Sequence, residues 1–250
     1  MLNVTDLYVE YGKKQILKDV SFSLEQGTVT ALLGANGCGK TTLLKALCGI
    51  VPSQGDCVLD GVSLKGLSAS AIAKKVSYIP QRSGLSLALT AQEVAQMGFN
   101  PWLPLLAGPT KEMKQKAADT LHRVGIEPEA DYLSLSEGQK QLCILARAMV
   151  AEGSLLLMDE PESALDLSNR YEIFRLLRST MGGKMILTAL HDPQLALQTA
   201  DRVILLKDGT VDSILRPKED DLSHMEQALC RIYGQVRLYK IEDHTVMVKP

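Results

Sequence analysis

Residues 34–42 read Gly-Ala-Asn-Gly-Cys-Gly-Lys-Thr-Thr, and the fold is decided there. The five residues before them, 29–33, are a short apolar run of strand type, and residues 43–48 are apolar at helical spacing. A glycine-rich turn between a buried strand and a helix is the setting in which G-x-x-x-x-G-K-[ST] binds phosphate. Gly34, Gly37 and Gly39 let the backbone curl until successive amides point inward, making a nest for anionic oxygens. Ala35, Asn36, Cys38 and Thr42 complete that cradle. The helix that follows aims its positive end at the same spot. Lys40 is placed to reach the β- and γ-phosphates of ATP, and the Thr41 hydroxyl to ligate Mg²⁺.

The next informative stretch is Leu155-Leu156-Leu157-Met158-Asp159-Glu160, an apolar strand ending in two carboxylates. In an open parallel sheet, ligands bind at the carboxyl ends of strands. Asp159 suits a metal ion and Glu160 a general base that activates water. Further upstream, Leu135-Ser136-Glu137-Gly138-Gln139 precedes a long helix with Leu142, Leu145, Ala146 and Met149 on one face. Ser136 with Gln139 three residues on fits a capping box.

The rest of the chain supports an α/β architecture. Residues 3–24 alternate like antiparallel strands, with a turn at Tyr11-Gly12. Residues 55–64 read as two short strands about Asp60-Gly61, and 76–79 as a buried strand ended by Pro80 and followed by Gln81. Residues 85–150 are mostly helix and loop, with Pro101, Pro104, Gly108 and Pro109 breaking the chain around Trp102. We expect an inserted helical subdomain there, between a core of 1–84 and 151–250. After residue 154, strands at 155–158, 185–190 and 203–207 alternate with helices at 167–180 and 193–200, implying a mainly parallel sheet. A helix over 222–233 and two short strands close the sequence.

Bulk composition sets bounds. The 250 residues are 46% hydrophobic and 22% charged, with a net charge of -2, which argues against a nucleic-acid partner. No apolar run approaches the roughly 18 residues that span a bilayer, and residues 1–12 lack a signal-peptide pattern. The five cysteines contain no C-x-x-C pair and suggest neither zinc nor a disulfide framework.

Taken in order, GANGCGKTT, Gln81, LSEGQ, LLLMDE, SALD and His191 resemble the Walker A, Q-loop, signature, Walker B, D-loop and H-switch of the nucleotide-binding subunits of ABC transporters. The resemblance spans nearly the whole chain. It implies a P-loop fold with an N-terminal antiparallel β subdomain, ATP and Mg²⁺ as ligands, and a head-to-tail homodimer with two shared sites. Glu160, His191, Gln81 and Lys40 would then be catalytic, and Thr41, Gln81 and Asp159 would attend the metal. Tyr11 would stack on adenine, while Ser136, Gly138, Gln139 and Asp166 would act across the dimer. Partners would be two membrane permease subunits and, indirectly, a substrate-binding protein, with the ATPase at the cytoplasmic side of the membrane. Residues 97–112 and the Tyr233-Gly234 helix end resemble the importers of iron–siderophore, haem and cobalamin. Glu137 departs from the family's usual glycine, and we expect its side chain to point away from ATP. A P-loop kinase would leave LSEGQ and His191 without purpose. A soluble repair or translation ATPase of the family would carry a coiled-coil insertion or a second cassette.

Overall fold

The computed structural model describes residues 1–81, 88–104, 106–180, 182–242 and 244–249. In chain order the elements are β1 Leu2–Tyr11, β2 Lys14–Leu24, β3 Val29–Leu33, α1 Lys40–Leu47, β4 Gln54–Leu59, β5 Val62–Ser63, α2 Ala69–Ala73, β6 Val76–Ile79, α3 Ala91–Gln96, α4 Lys111–Arg123, α5 Glu137–Val150, β7 Leu155–Asp159, α6 Leu167–Thr180, β8 Met185–Ala189, α7 Pro193–Thr199, β9 Arg202–Lys207, β10 Thr210–Leu215, α8 Leu222–Tyr233, β11 Arg237–Ile241 and β12 His244–Val248. They form two compact units, Met1–Leu67 with Gly183–Pro250, and Ser68–Gly182. The second unit contains the described part of 85–150 and also β6, β7 and α6; the expected boundary at 84 lies outside the described residues.

In the first unit, β2-β1-β4-β5 make an antiparallel sheet. Its buried positions switch parity partway along: Leu2 and Val4, then Leu7 and Val9 on β1; Leu17, then Val20, Phe22 and Leu24 on β2. The switch falls where Asp6 and Asp19 adopt positive φ and the pairing register shifts. A bulge turns the following side chains over, so an apolar pattern that skips a residue still lines one core.

Beside it in the same unit run β10-β9-β3-β8, with β9, β3 and β8 parallel and β10 antiparallel at the edge. All five residues of β3 and of β8 are buried. Parallel strands covered on both faces demand such unbroken apolar runs. The sequence reading ends its strand at Lys207 and misses β10, whose Val211 to Ile214 are only half-buried and carry no clear alternation. The missed signal is Asp208-Gly209, both at positive φ, the pair that a tight hairpin turn requires.

In the second unit, β6 pairs with β7 in parallel, Val76 opposite Leu155 and Ile79 opposite Met158. A β-carbon on Gly153 would lie 2.6 Å from the Lys75 carbonyl oxygen, so only glycine lets the chain enter β7 here. Helices α3, α4 and α5 close around Phe99, Leu121, Tyr132, Ile144 and Leu145. Truncating Phe99 or Tyr132, each 1% exposed, to Ala would cost about 3–5 kcal/mol. Ser136 with Gln139 forms the expected capping box of α5, and Thr110 caps α4. Pro101 and Trp102, read as part of an irregular loop, instead belong to a 3₁₀ turn over residues 97–102. Gly98 allows that turn to press against the α5 backbone, since an added β-carbon would meet the Arg147 carbonyl oxygen at 2.1 Å.

Candidate nucleotide site

The phosphate loop emerges from β3 between two parallel neighbours. Leu33 is opposite Leu205 on β9, and Leu32 is opposite Ala189 on β8. The Leu190 amide donates to the Leu32 carbonyl at 3.1 Å, which carries the β8 pairing one residue further. Gly34 and His191 therefore leave adjoining strands at the same carboxyl edge, where such folds bind ligands. His191 is exposed, and Asp192 beside it caps α7 by accepting from the amides of Gln194 and Leu195. The strand end and the cap fix where His191 departs.

Inside the loop the glycines are demanded by space. A β-carbon on Gly34 would lie 2.3 Å from the Leu206 carbonyl oxygen and 2.6 Å from Cys38 Sγ. One on Gly39 would lie 2.7 Å from Leu17 Cδ2. Gly39 is also the N-cap of α1, at φ 113°, with no side chain closing the helix start and no acid in the first turn. The cap itself thus takes none of the first amides of α1, the arrangement that an anion at a helix start needs. Lys40 is 6% exposed; its ammonium donates to Gly34 O at 2.8 Å and to Ala35 O at 3.4 Å. The cation lies over the loop, within the nest it is expected to serve. Ala35, Asn36 and Gly37 are exposed, and Thr41 and Thr42 half-buried. Cys38 is buried; burial pushes its thiol above the usual range, and the Lys40 charge offsets this only in part. Tyr11 stands at the end of β1, 47% exposed.

In the second unit, Asp159 ends β7 and is 1% exposed, with the Tyr78 hydroxyl donating to its Oδ2 at 3.4 Å. Glu160 follows at φ 53°, a left-handed conformation that costs a branched or long side chain roughly 1–2 kcal/mol. Such strain clusters where side-chain direction matters. It turns Glu160 off the strand line and lets its carboxylate, 6% exposed, accept from the Gln81 side-chain amide. Gln81, Asp159 and Glu160 are thus brought together.

The signature residues form a second group in this unit. Ser136 N donates to Gln139 Oε1 at 3.0 Å, and Gln139 N to Ser136 Oγ at 3.3 Å. Gly138 faces the 164–165 turn, where a β-carbon would meet the Ala164 carbonyl oxygen at 3.2 Å. Glu137 turns back along α5 to Lys140, 2.9 Å away, leaving its side chain 81% exposed. Asp166 is the cap of α6: its Oδ1 accepts from Asn169 N at 2.9 Å. Tyr78 and the buried Glu162 were missed by sequence reasoning. Period-two alternation could have paired Tyr78 with Asp159, but only once β6 was known to lie beside β7.

Among known proteins, the model of the family described as ABC transporter matches residues 17–163. The chain is 38% identical over 219 residues to the hemin import ATP-binding protein HmuV of Vibrio cholerae, covering 82% of each. It is 36% identical over 236 residues to the protein of that name from Pseudomonas fluorescens, covering 87% of this chain and 90% of the other. In structure it resembles a chain from an inward-facing transporter ascribed to the metal-chelate type of ABC transporter. The TM-score is 0.80 at 25% identity, covering 99% of this chain and 97% of that one. It also resembles the dimeric structure of a bacterial ABC transporter cassette, with a TM-score of 0.77 at 25% identity over 88% of this chain. The loop from β3 into α1 and the carboxylates ending β7 are accordingly parts of an ATPase, and the chain belongs to the ABC transporter family as its ATP-binding subunit.

Proposed function

We propose that this chain powers an importer, closing head to tail with a second copy on ATP and thereby driving two membrane permease subunits. The cargo class is iron–siderophore, haem or cobalamin, delivered by a substrate-binding protein. The observation that carries the reading is the identity of 36–38% to hemin import ATP-binding proteins over more than four-fifths of each chain. Among the described residues no helix is long and apolar enough to cross a membrane. The permeases would supply the membrane path and hold this chain at the cytoplasmic face.

In this reading residues 34–42 cradle the phosphates, Lys40 exchanges the loop carbonyls for phosphate oxygens, and Tyr11 stacks on adenine. Water attacks the γ-phosphorus, the bond to ADP breaks, and Glu160 takes the water's proton. The Gln81 amide fixes the carboxylate of Glu160, and His191 donates to the γ-phosphate. Ser136, Gly138, Gln139 and Asp166 of the second copy complete the site. The Thr41 hydroxyl, the Asp159 carboxylate and the Gln81 side-chain oxygen are hard donors that fit Mg²⁺, which keeps several waters and binds through few carboxylates plus phosphates. When bound it would neutralise charge on the phosphates.

The test has two arms. Purified Glu160→Gln should bind ATP, lose turnover, and scatter light as a dimer; a monomer with normal turnover would remove both the base and the shared site. Vesicles holding the chain with its permeases should take up haem, a ferric siderophore or cobalamin on ATP addition. ATP-driven uptake of none of the three would overturn the cargo class.

A further inference from the structure

β6 and β7 end side by side, and two hydrogen bonds cross between those ends. The Gln81 side-chain amide donates to the Glu160 carboxylate. The Tyr78 hydroxyl donates to Asp159 Oδ2 at 3.4 Å. Register accounts for the second contact. Tyr78 lies opposite Leu157 in the parallel pair, and Asp159 is the last residue of β7. Paired residues on neighbouring strands share a face, and so do residues two apart along one strand. Tyr78, Leu157 and Asp159 therefore stand on one face, with Asp159 about 6.6 Å further toward the carboxyl end. The tyrosine ring spans that step and sets its hydroxyl at the carboxylate. A serine or threonine at residue 78 would fall short.

Asp159 is 1% exposed, and a carboxylate so far from water is costly unless hydrogen bonds compensate. Tyr78, itself half-buried, supplies one. A phenol is a neutral donor, so it steadies the carboxylate without placing a positive charge beside a cation site. A carboxylate held at one oxygen keeps its plane, and outer partners of this kind orient metal ligands. Tyr78 thus holds Asp159 as Gln81 holds Glu160, and one strand end fixes both carboxylates of its neighbour.

We propose that Tyr78 is a positioning residue for Mg²⁺: its hydroxyl fixes the Asp159 carboxylate in the orientation that receives the ion. This rests on the reading of Asp159 as a metal ligand. Tyr78→Phe, which keeps the ring and removes only the hydroxyl, is tested beside Asp159→Asn in the purified full chain. Trinitrophenyl-ATP affinity is measured in EDTA and in Mg²⁺, and the ratio of the two is the gain due to the ion. Tyr78→Phe should bind like the unmutated chain in EDTA and lose roughly 3- to 10-fold of the gain, the worth of one hydrogen bond. The Mg²⁺ concentration giving half-maximal turnover should rise by a similar factor, with kcat preserved at saturating Mg²⁺. A full gain in Tyr78→Phe, while Asp159→Asn loses it, overturns the proposal and leaves the metal reading standing. A full gain in Asp159→Asn, or no gain in the unmutated chain, overturns the metal reading and the proposal with it. Equal weakening of Tyr78→Phe in EDTA and in Mg²⁺ assigns the hydroxyl to packing and also overturns the proposal.

Discussion

Two helices in this molecule, α1 and α5, start at motif residues, and they treat that helix start in opposite ways. At α1 the cap is Gly39, no side chain closes the first amides and no acid stands in the first turn. At α5 Ser136 and Gln139 close the start reciprocally, and Glu137 sits in the first turn against Lys140. The first start is kept open and electropositive inside its own chain, ready for an anion. The second has satisfied itself, so under the proposed head-to-tail pairing an anion brought by another copy would have to compete with the capping box and with a carboxylate. The contrast explains why the phosphate loop is readable from sequence alone, whereas the same residues at the signature also make an ordinary, well-capped helix.

The largest effect we expect is at Gly34. Gly34→Ala forces a β-carbon to within 2.3 Å of a backbone oxygen that cannot give way. Urea unfolding should show a loss of about 2–4 kcal/mol, and ATP binding should disappear; an alanine variant that binds normally would show the loop is looser than its contacts say. Gly138→Ala sharpens the contrast, because its nearest contact is 3.2 Å, at the Ala164 carbonyl. The chain should stay folded and bind ATP, yet turnover should fall at least tenfold if Gly138 meets phosphate across a dimer; unchanged turnover would deny that role.

Smaller effects follow. Ser136→Ala removes half of the capping box and should cost about 1 kcal/mol in denaturant titration without altering nucleotide affinity of the chain alone. Glu137→Gln removes negative charge from the signature start at the expense of an exposed ion pair. Tm should move by no more than about a degree, and turnover should rise a few-fold; slower turnover would mean that Glu137 assists rather than hinders. The smallest concerns the α8 anchor. Hydrogen bonding from Arg231 holds the Asp212 carboxyl below its ordinary range. Its folded-state value is lower than its unfolded one, so its stabilisation is present above about pH 4 and is lost as pH falls through the folded value. Asp212→Asn should abolish that part of the acid sensitivity, as Tm measured between pH 3 and 6 would show.

How far the sequence carried depended on the range of the forces involved. α6 was legible to the residue, and the α5 start nearly so, because caps and periodicity act over three or four positions. β10 was missed because its half-buried residues mask the alternation, although Asp208-Gly209 marked its turn. The end of the 3₁₀ turn at 97–102 was read as loop because Pro101 looks like a breaker until Gly98 is seen against α5. The β1 and β2 parity switch is hidden in the left-handed aspartates that cause it.

By itself the sequence determined the glycine turn from β3 into α1, the carboxylate pair ending β7, the capping box of α5 and the family, since each depends on neighbours along the chain. Only the tertiary structure decided that Gly34 and His191 leave adjoining strands, that the Gln81 amide holds Glu160, and that Arg231 and Ile232 line a cavity against loop residues 35–38. Such meetings are set by strand order and register, which arise from burial summed over the whole chain and leave no local trace.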